Sequence, residues 1–143
     1  NLFVRAELYP ENGDIFSDVD TWKFNIDQDI VPEWFVKEYE EQRWRNEIKK
    51  WYEKHVFIGI DNLELSNGNF YLKDCKNTHF NNSTSKHYGN STSEHYDNST
   101  SVIPQYSSNN KDNIILCDNS TLKDCKTKTI YQSGDWNLIK EMI

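Results

Sequence analysis

Three histidines, His79, His87 and His95, recur at a period of eight, and imidazole is a residue type that holds late transition metals. Pairing between every second block would stack His79 on His95 and leave His87 apart. No Asp, Glu or Cys joins them at ligand spacing. Repetition alone explains the interval, so the expectation is packing, with no metal and no cofactor. Ser, His and Asp are scattered through the chain, but no G-x-S-x-G, H-E-x-x-H, phosphate-loop or dinucleotide fingerprint occurs. No pair of carboxylates is spaced for acid and base roles, and the chain is not expected to be an enzyme. Asn82, Asn90, Asn98 and Asn119 each begin an N-S-T sequon; three of these are one unit copied, and nothing else points to a secretory origin.

Charge is the second source of chemistry. The 143 residues carry a formal net charge of −7, and between Glu7 and Glu41 eleven acids face only Lys23 and Lys37. Such a surface repels nucleic acid and attracts basic proteins. Asp14, Asp18, Asp20, Asp27, Asp29, Glu33, Glu40 and Glu41 are its candidate contact residues. Downstream, Arg43, Arg45, Lys49 and Lys50 are a candidate anion-binding set beside Trp and Tyr, although interleaved glutamates favour a solvated face. Cys75, Cys117 and Cys125 are an odd number without a C-x-x-C pair, which suits free thiols in a reducing cytosol. No apolar run approaches the ~18 residues of a membrane span. The chain starts at Asn1 and its one methionine is Met142, so the natural N-terminus is expected upstream.

The elements that must position these residues follow from periodicity. Phe3 to Leu8 and Asp20 to Ile26 alternate as short strands, with Trp22, Phe24 and Ile26 on one face. Pro32 followed by Glu33 opens a helix that runs to about His55, with Trp44, Ile48, Trp51 and His55 as its apolar stripe. Val56 to Ile60 is an apolar strand, and Asn67-Gly68 reads as a turn before Phe70-Tyr71-Leu72.

From Asp74 the chain falls into blocks of eight: DCKNTHFN, NSTSKHYG, NSTSEHYD and a fourth NSTS. Fixed-period self-similarity predicts a stacked β architecture, with corners where Asn, Gly or Asp ends a block. Alternation puts Cys75, Ser83, Ser91 and Ser99 on one face with Asn77, Ser85, Ser93, Ser101, the three histidines and Ile103. Neither face is apolar, so the inward one stays open. Residues 104–111 have loop composition, after which Leu122-Lys123-Asp124-Cys125-Lys126 repeats Leu72-Lys73-Asp74-Cys75-Lys76 fifty positions on.

The blocks Asn82 to Gly89 and Asn90 to Asp97 resemble the N-[SA]-T-V-x-x-Y-[GD] octapeptide arrays of bacterial and phage-encoded proteins. They depart from the array by carrying Ser for Val and His at a small position. The resemblance covers about a third of the chain and implies a β-helix, with a counter-defence role by analogy.

The expected fold is mainly β with one long helix: a short right-handed β-solenoid of octapeptide rungs preceded by an α+β N-terminal region. The expected organisation is 1–60 for that region with its helix at about 32–55, 61–133 for the solenoid with a loop insertion at about 104–112, and 134–143 for a C-terminal cap. Trp136, Leu138, Ile139 and Ile143 would cover the open end. The expected function is a non-enzymatic, anti-CRISPR-like inhibitor in the bacterial host cytoplasm, binding a basic nucleic-acid-binding protein through its acidic surface. The alternatives are a sponge for a nucleotide or small anion, and a structural or surface repeat protein. A homodimer is expected, with neither direct nucleic-acid binding nor membrane association.

Overall fold

In the computed structural model, which describes residues 3–133 and 138–141, the first alternating segment becomes β1 (Ala6–Tyr9), paired antiparallel with β2 (Lys23–Ile26). A 3-10 turn at Val19–Thr21 precedes β2. The Asp18 carboxylate caps it by accepting from the Asp20 amide at 2.9 Å. Val19 and Trp22 are buried there, and the Trp22 indole N–H donates to Ser17 Oγ at 3.0 Å.

The helix, α1, spans Lys37–His55 and starts later than Pro32. The Phe35 amide donates to the Pro32 carbonyl, which makes a turn, and the first four-residue helical bond runs from Glu40 N to Val36 O. α1 meets the strands through aromatic edges: Trp44 lies 5.5 Å from Phe24 and Tyr52 6.2 Å from Trp22, both T-shaped. Arg45 donates to the Val19 carbonyl at 2.8 Å, tying α1 to the 3-10 turn. These residues belong to the first of two units, Asn1–Lys54; the second is His55–Ile143.

The second unit is one hydrogen-bonded sheet of nine strands: β3 (Val56–Ile58), β4 (Leu63–Lys73), β5 (Lys76–Tyr88), β6 (Thr92–His95), β7 (Thr100–Ile103), β8 (Ile114–Leu116), β9 (Thr121–Asp124), β10 (Thr129–Gln132) and β11 (Leu138–Glu141). Parallel pairs are β3–β4, β4–β5, β5–β6, β5–β7, β6–β8 and β7–β9, whereas β9–β10 and β10–β11 are antiparallel. Lys76 pairs with Thr92 and Thr84 with Thr100, so blocks two apart are neighbours.

This topology corrects the expected right-handed solenoid of octapeptide rungs. β5 runs for 13 residues through the boundary between Asn81 and Asn82, where eight-residue segments would break. The sheet is mixed because the octads are lost after Thr121, and the chain reverses at Lys128, with φ +57°, into the β9–β10 hairpin. Mainly β with one helix is the architecture of the described residues. Asn67-Gly68, expected as a turn, is instead a register shift inside β4. The cap expected at 134–143 lies outside the described residues except for β11; Trp136 and Ile143 are not among them.

Left-handed backbone falls at Asn81, Gly89 and Asp97, the last residue of three successive blocks. The Asp74 carboxylate accepts from Asn90 N at 2.8 Å, and that of Asp97 accepts from Asn81 N at 2.9 Å, so each acid bridges backbone turns sixteen residues apart. The inward face is the Ser, Asn and His set. Apolar clusters flank it: Leu65, Phe70, Leu72 and Cys75 on one side, and Ile103, Ile114 and Leu122 on the other.

Candidate functional site

β5 and β6 carry alternating residues to the buried face, and the octad interval places the three histidines at equivalent positions. All three rings are fully buried. His79 and His95 stack with centroids 4.4 Å apart and 6° between planes, the pairing expected from a two-block interval. His87, expected to lie apart, meets both edge-on at 5.9 and 5.5 Å. One nitrogen from each ring lies within 4.8 Å of the others. The sequence pattern missed this convergence because strand pairing reports neighbours within the sheet, whereas side chains meeting across its buried face depend on curvature.

Each Nε2 has a short partner two residues earlier in its strand: Asn77 Oδ1 at 2.6 Å for His79, Ser85 Oγ at 2.8 Å for His87 and Ser93 Oγ at 2.7 Å for His95. The Nδ1 atoms are held less well, by Ser83 at 3.4 Å for His79 and Ser99 at 3.2 Å for His95. His87 Nδ1 and Ser101 Oγ are buried without a hydrogen-bond partner, an unusual state for buried polar atoms. Burial lowers all three ring pKa values from 6.5, to about 4 for His79, about 3 for His87 and about 2 for His95; the neighbouring imidazoles lower the last two further. The rings are neutral at pH 7. The Ser–His pairs have the partner types of nucleophilic catalysis, yet with Ser83, Ser85, Ser99 and all three rings at 0% exposure they cannot meet a substrate.

Residues 104–112 form an anchored loop. Ser107 Oγ donates to the His87 carbonyl at 2.6 Å, and Asn109, fully buried, donates to the carbonyls of Ser91 at 2.7 Å and Gly89 at 3.2 Å. Lys126 Nζ donates to the Asn109 carbonyl. A lone Asn in a polar segment gave no sequence signal of this role.

The expected acidic contact residues are distributed within the first unit. Asp14, Asp18, Asp20, Asp27, Asp29 and Glu33 are exposed. Asp20 pairs with Lys49 at 2.6 Å and Asp27 with Arg5 at 3.4 Å. Glu40 is not a surface residue: it is 8% exposed and holds the Arg43 guanidinium through two bonds to one oxygen. Glu41 is half-buried and lies 3.7 Å from Arg45. The candidate anion-binding set is correspondingly engaged, with Arg43 on Glu40, Arg45 on Glu41 and Val19 O, Lys49 on Asp20, and Lys50 on Glu47 at 3.0 Å.

Between these acids the chain exposes Ile30, Val31, Trp34, Val36 and Tyr39, with Trp34 at 55% and Tyr39 at 65% exposure. A recess of about 100 Å³ adjoins Trp34, lined also by Val4, Ala6, Phe35 and Trp44. In the second unit a wider groove of about 490 Å³ opens over Glu64, Thr78, Thr92, Glu94, Asp112 and Ile115. Among the described residues no helix is long and apolar enough to cross a membrane. Compared with known proteins, the chain matches no family model, no curated protein and no solved structure.

Proposed function

We propose that the chain is a non-enzymatic interaction protein whose N-terminal unit docks on a basic, nucleic-acid-binding surface of another protein. The observation that carries this reading is the exposed run of Ile30, Val31, Trp34, Val36 and Tyr39 set among Asp27, Asp29 and Glu33. Apolar side chains grouped on a surface with a polar rim mark protein-binding sites, and Trp and Tyr are the side chains that most often anchor them. The acidic rim selects a basic partner and suppresses acidic ones. A host-cell cytoplasmic setting with a counter-defence target is part of the proposal and rests on the octapeptide resemblance.

The alternative of an anion sponge is less well supported. Each of Arg43, Arg45, Lys49 and Lys50 already faces a carboxylate, which a phosphate would have to displace.

The test is capture from a bacterial lysate on the immobilised full chain, at low and high salt, beside the variants Trp34→Ala and Glu33→Lys. A basic partner retained at low salt should be lost with either variant and weaken as salt screens the rim. It should also lose its nucleic-acid binding when the chain is added. Retention indifferent to both variants and to salt would sink the reading.

A further inference from the structure

We propose that His79, His87 and His95 form an internal site for one divalent transition-metal ion of the imidazole-preferring class, zinc in the first instance. The geometry is a converging ligand set: one nitrogen from each of three fully buried rings, all within 4.8 Å of one another. Three imidazoles are a known zinc ligand count, and the remaining position belongs to an oxygen.

Two further features separate this cluster from an ordinary packed core. First, every Nε2 is fixed by a short bond to Asn77, Ser85 or Ser93. That is the arrangement in which the second ring nitrogen of a metal-bound histidine orients the ring. With the proton on Nε2 in those bonds, Nδ1 would be the lone pair each ring offers, and the Nδ1 atoms of His79 and His95 have only long hydroxyl contacts. Second, His87 Nδ1 is buried with no partner, as is Ser101 Oγ. The fourth position would fall to a water oxygen.

Zinc–nitrogen bonds of ~2.0–2.1 Å place tetrahedral ligands roughly 3.3 Å apart. The rings must therefore close in, and one of the stacked pair His79 and His95 must turn so that both lone pairs meet the ion.

The experiment uses the full chain, stripped with a chelator and titrated with zinc and then with cobalt as a visible reporter. Expected are one equivalent bound, tetrahedral cobalt absorption bands and a higher melting temperature. His87→Gln should weaken binding by more than the ~10–100-fold of an outer-shell loss, while His55→Gln, at the remaining histidine, should leave it unchanged. No binding at one equivalent by folded protein, or binding lost with His55→Gln instead, would overturn the proposal. Should His87→Gln fail to fold, cobalt-induced shifts of the His79, His87 and His95 imidazole resonances decide it in the unaltered chain: shifts on all three support the site, and their absence removes it.

Discussion

The rings of His79 and His95, sixteen residues apart, lie face to face at 4.4 Å with 6° between their planes. Two imidazoles stacked this closely in a dry interior are stable only while neutral, because a proton on either one has no buried counter-charge to meet.

Acid sensitivity follows from that contact. The folded pKa values of about 4, 3 and 2 lie below the unfolded 6.5. Above pH 6.5 both states are neutral and nothing is lost; as pH falls the unfolded chain takes up three protons that the folded chain refuses. Stability should decline by about 1.4 kcal/mol per pH unit for each ring until the folded values are reached. At pH 5 the loss is about 6 kcal/mol, comparable with the ~5–15 kcal/mol of a whole domain. Urea unfolding at pH 7.5, 6 and 5 measures this, and a midpoint that does not move would contradict neutral burial.

Gly89 and Asp74 make a second test. Gly89 has φ +61°, and an added Cβ would run into the Asp74 carboxylate, with Asp74 Cγ at 3.0 Å. That carboxylate accepts from Asn90 N, so displacing it also breaks a bridge between turns. Gly89→Ala should cost about 2–3 kcal/mol, combining backbone strain with the lost bond. Gly59→Ala is the control: φ is +64° with nothing within 4 Å, and the cost should be about 1 kcal/mol. Equal losses at the two sites would show that the Asp74 contact does not matter.

Two serines that look alike in the repeat should behave oppositely. Ser85 Oγ bonds His87 Nε2 at 2.8 Å, and Ser85→Ala leaves that ring with neither nitrogen satisfied, at about 1–3 kcal/mol. Ser101 Oγ is buried without a partner, so Ser101→Ala removes a polar atom that gains nothing and should be neutral or stabilising by up to about 1 kcal/mol. Thermal melts of the two variants side by side give the comparison.

The repeat made the two faces of β5 and β6 legible, because strand alternation needs only a period of two. It did not reveal which face is inside, since Ser, Asn and His are hydrophilic types and their burial depends on the bonds to one another seen from Asn77 to Ser99. The convergence of His87 with the stacked pair was equally hidden, as was the anchoring of Asn109 to Gly89 and Ser91. In the first unit the acidic bias of residues 7–41 was plain from counting, but counting could not separate the exposed Asp29 and Glu33 from Glu40, which burial and Arg43 remove from the surface. The exposure of Ile30, Val31, Trp34, Val36 and Tyr39 left no mark in the sequence, because residue type alone does not say which apolar side chains a fold leaves on its surface.

Arg45 offers the sharpest test of how α1 is held. Its guanidinium donates to the Val19 carbonyl at 2.8 Å and lies 3.7 Å from Glu41, with the side chain only 14% exposed. Lys50 makes an ion pair with Glu47 at 3.0 Å, but both side chains are more than 65% exposed. A hydrogen bond from a charged donor to a buried carbonyl is worth about 1.5–3 kcal/mol, whereas an exposed pair on a helix is worth ~0.3–0.5 kcal/mol. Arg45→Met, which keeps much of the aliphatic stem, should therefore destabilise the N-terminal unit by about 2 kcal/mol and Lys50→Met hardly at all. Amide exchange of β1, β2 and α1 reads the effect within that unit. If the two variants exchange alike, α1 is held by its aromatic edges at Trp44 and Tyr52, and the Val19 bond adds nothing.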